Sequence, residues 1–134
     1  MDNIKIYIVE DSWVIRENLI DALHENAPIE VVGIAEDERS ALSWLRDRSH
    51  ACDLAIVDIF LKSGSGLGVL KAMSDIPDAP MRIVLSNHAT PEIRAKCQQL
   101  GASKVFDKSN ELDEMFGWLN RFARIDRGVA ASRS

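Results

Sequence analysis

Four side chains that can do chemistry stand where this sequence leaves an apolar run. Glu10 and Asp11 follow Ile4–Val9, Asp58 closes the run Leu-Ala-Ile-Val within Asp53–Ile59, and Lys108 comes just after Ser103–Phe106. Ser86 ends a further run, Arg82–Ser86. Three carboxylates gathered within about 5–6 Å repel one another by several kcal/mol in total, even at an effective dielectric near 20. Left alone, one of them would take up a proton. A divalent cation removes the conflict, and an all-oxygen site suits Mg²⁺ or Mn²⁺ rather than zinc. Three negative charges, the ion's two positive charges and the Lys108 ammonium then come out near neutral. Such a site admits a phosphoryl group whose oxygens the ion, Lys108 and Ser86 neutralise. Asp58, from the middle of the sheet, is the nucleophile that would become an aspartyl phosphate, and Glu10 with Asp11 is the metal-holding pair.

Those side chains meet only if their strands lie side by side, and the pattern along the chain supplies that. Ile4–Val9 is the first strand, Val31–Ala35 the second, Asp53–Ile59 the third, Arg82–Ser86 the fourth and Ser103–Phe106 a short fifth. Their near-continuous apolar character is that of strands buried on both faces. Helix-period segments alternate with them. Ser12 caps a helix to Asn26 with Ile15, Leu19, Ala22 and Leu23 on one face, and Glu38–Arg48 buries Leu42 and Leu45. After Gly64, Ser65 and Gly66 comes a helix with Leu67, Leu70 and Met73. Pro91 opens a helix stopped by Gly101 after Leu100. Ser109 caps a last helix striped by Leu112, Met115, Phe116, Leu119, Phe122 and Ala123. Strand and helix in strict alternation imply right-handed crossovers and a parallel sheet with helices on both faces. Function then gathers at the carboxyl ends of the strands.

Composition narrows the classes. The 134 residues suit a single core, and 46% hydrophobic with 28% charged residues describe an ordinary globule. A net charge of −5 argues against a nucleic-acid grip or an anionic membrane surface. No apolar run approaches the roughly 20 residues of a bilayer span, and Met1–Lys5 does not read as a signal segment. Cys52 and Cys97 read as reduced, buried thiols of a cytoplasmic protein. Residues 125–134 read as a frayed tail with no effector domain after it.

From Ile4 to about Phe122 the sequence resembles the receiver domains of two-component response regulators. The resemblance is carried by Glu10-Asp11, Asp58, Gly66 eight residues beyond it, Ser86 and Lys108, in order and in strand context. It implies a stand-alone receiver over residues 1–124, a flavodoxin-like, doubly wound (βα)5 α/β sandwich with strand order 2-1-3-4-5. It implies phosphoryl transfer to Asp58 from a histidine kinase or histidine phosphotransfer protein, with Mg²⁺ (or Mn²⁺) held by Asp11, by Glu10 through water, by Asp58 and by the backbone carbonyl of Phe60. Ser86 and Lys108 would bind the phosphoryl oxygens. Output would pass to a downstream protein or an onward relay, with any homodimer through the face of the fourth helix, fifth strand and fifth helix. The chain would be an acceptor with slow self-dephosphorylation, not an enzyme.

Some positions depart from the family pattern. Val105 stands where a Tyr or Phe usually turns inward, and Phe106 beside it points to the other face of a regular strand. Ser109 replaces the proline that commonly follows the lysine, Lys62 stands where proline is frequent, and Asn87 where a small residue is usual. Phe60 and His88 flank the path of a hydrolytic water. Val105 and Asn87 leave open a degenerate receiver that docks partners without phosphate. A phosphatase would need a second acid where Phe60 stands, and a flavin carrier would need a glycine-rich loop where Glu10-Asp11 stands. His24, His50, Trp13, Trp44 and Trp118 are read as surface or packing residues.

Overall fold

The structure, a computed structural model, describes residues 3–47 and 49–124. The strands are β1 Ile4–Val9, β2 Ile29–Ala35, β3 Leu54–Val57, β4 Met81–Ser86 and β5 Lys104–Asp107. The helices are α1 Trp13–Asn26, α2 Glu38–Arg46, α3 Gly66–Met73, α4 Pro91–Gln99 and α5 Leu112–Phe122. All strand pairs are parallel, in the order β2-β1-β3-β4-β5. This is the flavodoxin-like arrangement that the alternation predicts.

Successive strand residues feed opposite faces of the sheet. Tyr7, Val9, Ala55, Val57, Val84 and Val105 pack with α2, α3 and α4 through Leu45, Leu70 and Cys97. Ile4, Ile6, Ile8, Ile56, Ile83 and Phe106 pack with α1 and α5 through Leu19, Leu23, Met115 and Leu119. Val105 pairs with Val84 and Phe106 with Leu85 in unbroken register, so the two side chains stay on opposite faces. Phe106 accordingly meets Trp118 of α5, at 6.5 Å between ring centroids, and does not replace an inward aromatic at position 105.

Several sequence expectations need correction. The third strand covers only Leu54–Val57: Asp53 already turns its carboxylate to the Lys5 N–H, and Asp58 lies just past the strand. The second strand begins at Ile29, because Pro28 gives its carbonyl to the Ile4 N–H and so starts the pairing. The second helix stops at Arg46 with Asp47 beyond it; Arg48 lies outside the described residues, as does the tail at 125–134. Ser12 does cap α1, accepting from the Ile15 N–H. Ser109, however, does not cap α5. Its N–H closes a turn on the Asp107 carboxylate, and the helix begins three residues later, after Glu111. Nor does α1 bury Ile15, which is 39% exposed; Arg16 occupies the inward position instead, with Leu19 and Leu23.

Trp44 is a packing residue, stacked between Tyr7 (3.9 Å) and His50 (4.2 Å), and His50 is exposed at the surface, as its loop suggests. Trp13 is not a packing residue, being 66% exposed. Both cysteines are free, with Cys97 buried and Cys52 half-buried. Gly101 ends α4 at φ +99°, as a helix-stop glycine does. Among the described residues there is no cis peptide, and no helix is long and apolar enough to cross a membrane.

Candidate functional site

The sheet's own hydrogen-bond ladder places the chemical residues. The Glu10 N–H donates to the Ala35 carbonyl at 2.9 Å, and the Asp58 N–H to the Val9 carbonyl at 3.0 Å. The Lys108 N–H donates to the Ser86 carbonyl, also at 3.0 Å. Each residue lies just beyond its strand but is still held by the neighbouring one. As a result Glu10, Asp11 and Asp58 each offer a carboxylate oxygen within 4.8 Å of the others. The Lys108 Nζ bridges two of them, 2.6 Å from Glu10 Oε1 and 3.1 Å from Asp58 Oδ2. The side chains of Glu10, Asp58 and Lys108 are 3%, 11% and 12% exposed, so these charges interact with little screening by water.

That setting shows in the acid–base behaviour. Burial pushes the Glu10 carboxyl above its ordinary range; the hydrogen bond from Lys108 opposes the rise, and the Asp58 charge adds to it. For Lys108, burial alone disfavours the ammonium. Its hydrogen bond to Glu10 and the charge of Asp58 outweigh that cost, and its pKa is raised. Lys108 is therefore a resident cation at the centre of the cluster.

The other predicted residues fall around this centre. Asp11 Oδ2 accepts from the Lys62 N–H at 2.7 Å, which ties the end of β1 to the loop after β3. Ser86 is fully buried, and its hydroxyl accepts from the His88 N–H at 3.1 Å. Phe60 lies in the loop after Asp58, its N–H 3.4 Å from Asp58 Oδ1, and the residue is 54% exposed. That ring meets His88 edge-on, with centroids 5.1 Å apart and planes at 80°. Phe60 and His88 thus touch across the mouth of the site. The donor set is entirely hard oxygen, and three carboxylates against the single Lys108 ammonium leave an excess of negative charge. The residues fit a Mg²⁺ or Mn²⁺ ion.

Three features escaped the sequence reading. Gly66 is more than a turn residue. A Cβ on it would lie 2.0 Å from the Asp58 carbonyl oxygen and 2.7 Å from Ile59 Cα, both backbone atoms that cannot swing aside. We expect Gly66→Ala to lower the unfolding free energy by about 1–3 kcal/mol, as overpacking of a tight interior does, read from the urea midpoint. An unchanged midpoint would refute the close approach. Second, Arg94 of α4 ties together three segments. Its guanidinium donates to the Ala89 carbonyl (2.9 Å), the Val105 carbonyl (2.8 Å) and Glu111 Oε1 (2.6 Å). Glu111 also accepts from the Asp107 N–H, and this use of its carboxylate leaves α5 without a side-chain cap. Only the wide spacing of 94 and 111 could have hinted at that pair, which is too little to find it. Third, Arg16 is buried behind Glu10, where helical periodicity offered an apolar neighbour.

Residues 6–120 match the family described as the response regulator receiver domain. The chain belongs to that family. Receiver domains are the phosphoacceptors of two-component systems, and the family binds Mg²⁺ or Mn²⁺ at an acidic pocket. A protein-glutamate methylesterase/protein-glutamine glutaminase of Desulfotalea psychrophila is 33% identical over 113 residues, which cover 83% of this receiver and 30% of the relative. The Fimbriae Z protein of Salmonella typhimurium is 25% identical over 111 residues, 83% of this chain and 52% of its own length. This chain thus spans between about a third and half of such relatives. Among solved structures, the signal receiver domain of the response regulator NarL from Mycobacterium tuberculosis has a TM-score of 0.80 at 23% identity, covering 92% of this chain and 98% of that one. The Mn²⁺-bound response regulator Rcp1 has a TM-score of 0.70 at 21% identity, covering 90% and 91%. Identities this low speak to the receiver fold.

Proposed function

We propose that the chain takes a phosphoryl group from a phosphohistidine onto Asp58. The donor would be a histidine kinase or a histidine phosphotransfer protein. The observation that carries this reading is the convergence of Glu10, Asp11 and Asp58 around the Lys108 ammonium. In the step, an Asp58 carboxylate oxygen forms the new P–O bond as the donor's P–N bond breaks, and the electron pair leaves on the imidazole nitrogen. Lys108 lies 3.1 Å from the attacking carboxylate, which suits it to take up charge on an arriving phosphoryl oxygen. The Ser86 hydroxyl, which accepts from the His88 N–H, would donate its own O–H to another phosphoryl oxygen. Glu10, Asp11, Asp58 and the Phe60 backbone carbonyl would hold Mg²⁺, which when bound neutralises carboxylate charge that would repel the phosphoryl group.

The chain acts in this reading as a one-turn acceptor rather than an enzyme, over a receiver unit of residues 1–124. The free thiols Cys52 and Cys97 support a place in the cytoplasm. Output goes to a protein partner or an onward relay through the face of α4, β5 and α5, which is also where two copies would meet. The test is labelling by acetyl phosphate with Mg²⁺ or with EDTA, followed by peptide mapping. We expect one phosphoryl group, on the peptide containing Asp58, only with Mg²⁺. Label on another residue, or equal label in EDTA, overturns the reading.

The mouth of the site sets a second expectation. The apolar ring of Phe60, braced by His88, covers the approach of water to an acyl phosphate on Asp58. Phe60→Asn offers water a hydrogen-bonding partner there, so the label should decay several-fold faster once donor is removed. An unchanged decay rate would show that the ring has no such role.

A further inference from the structure

Arg16 is an arginine in a place meant for an apolar side chain. It shares the inward face of α1 with Leu19 and Leu23 and is 8% exposed. Its Nε is buried with no hydrogen-bond partner among the described residues, which by itself disfavours folding. Its Nη1 is used fully: it donates to the Glu10 carbonyl at 3.0 Å and lies 3.4 Å from Glu36 Oε1. Glu36 follows β2 directly, and its side chain is 66% exposed. One guanidinium therefore fastens the peptide between Glu10 and Asp11 to α1 and to the end of β2. That peptide sets the directions of two of the three clustered carboxylates.

We infer that Arg16 is a positioning residue of the acidic site, holding the Glu10–Asp11 peptide so that both carboxylates meet Asp58 around one cation. The inference rests on the divalent-ion site proposed above. Position and charge make opposite demands here, which gives the idea a sharp test. Viewed only as a positive charge near the acids, Arg16 repels a metal ion, and its removal tightens binding. Acting as a clamp, its removal loosens binding although a repelling charge is gone.

The experiment measures Mn²⁺ affinity from the electron paramagnetic resonance signal of free Mn²⁺, for wild type, Arg16→Met and Glu36→Gln. Methionine suits the apolar face beside Leu19 and Leu23. We expect Arg16→Met to keep the native circular dichroism and bind Mn²⁺ roughly 10- to 100-fold more weakly, the range seen when a group that orients a metal ligand is lost. Glu36→Gln, which leaves the contact with the Glu10 carbonyl in place, should bind within about threefold of wild type. Equal or tighter binding by Arg16→Met overturns the inference. If Arg16→Met does not fold, Arg16→Lys decides. It keeps the charge but its nitrogen ends one bond short of the Nη1 that holds the Glu10 carbonyl, so weaker binding supports the clamp and binding equal to wild type overturns it. Failure of wild type to bind Mn²⁺ at all would instead strike the proposed site.

Discussion

Asp58→Asn should take up no label from acetyl phosphate at any Mg²⁺ concentration, and should still fold. The amide has the shape of the carboxylate but not its nucleophilic charge, so the P–O bond cannot form. Two effects on stability oppose each other. The contact of Asp58 Oδ2 with Lys108, at 3.1 Å, is weakened. In return, the Asp58 charge that helps push the Glu10 carboxyl upward is gone. Lys108 keeps its shorter contact with Glu10 at 2.6 Å. The unfolding free energy should therefore change by no more than about 1 kcal/mol. Mn²⁺ affinity falls with the loss of one anionic ligand. Persistent labelling of a folded Asp58→Asn variant, seen by intact-mass spectrometry, would move the acceptor elsewhere.

Lys108→Ala should have the largest effect on folding. It leaves Glu10 and Asp58 facing each other nearly buried, with no cation between them. Removing one partner of a buried ion pair costs about 3–5 kcal/mol, and we expect a loss near the lower figure because Glu10 can protonate. The pH dependence follows from the direction of its shift. Glu10 has a folded pKa above its unfolded value, so the native state is relatively favoured at low pH and loses that advantage as pH rises through the folded pKa. Without Lys108 that upward shift grows. The deficit of the variant should therefore be greatest near neutrality and shrink on acidification. Mg²⁺ at a hundredfold excess over Kd stabilises either form by about 2.7 kcal/mol. At one fixed Mg²⁺ concentration the deficit therefore shrinks only by as much as the variant, freed of the competing ammonium, binds the ion more tightly. Urea unfolding at two pH values, with and without Mg²⁺, checks all three. A deficit that does not vary with pH or Mg²⁺ would mean that Lys108 only packs.

Much of this site was legible in the sequence because strand ends announce themselves. An acid directly after Ile-Lys-Ile-Tyr-Ile-Val or Leu-Ala-Ile-Val has one place to go in a parallel sheet, and the strand order then decides what it meets. Glu10, Asp11, Asp58 and Lys108 were readable for that reason. Arg16 was not, because Ile15 and Arg16 flank the Leu19–Leu23 stripe on opposite sides, about 100° apart, and hydrophobicity favours the isoleucine. In the structure Leu19 and Leu23 stay inward but the Arg16 side of the stripe is the buried one, and the carbonyl of Glu10 is what the arginine gains. Ser109 failed as a cap for a related reason: its N–H was claimed locally by Asp107, and Glu111 was drawn to Arg94. Competition between hydrogen-bond partners is a property of three-dimensional neighbours, and short-range patterns do not record it. Gly66 matched by position, but its true constraint, contact with the Asp58 backbone, exists only once the loop closes.

The amides of Glu10, Asp58 and Lys108 are each bonded to a carbonyl of the neighbouring strand. Asp58 is bonded between the central strands β1 and β3, so its proton exchanges only when the middle of the sheet opens. Glu10 and Lys108 instead close the pairings with the edge strands β2 and β5. The amides of Phe60 and His88 are bonded to nearby side chains in exposed loops and are free to exchange through small local openings. The chain thus sets Asp58 in the last part to melt and gives its covering to the first part to loosen.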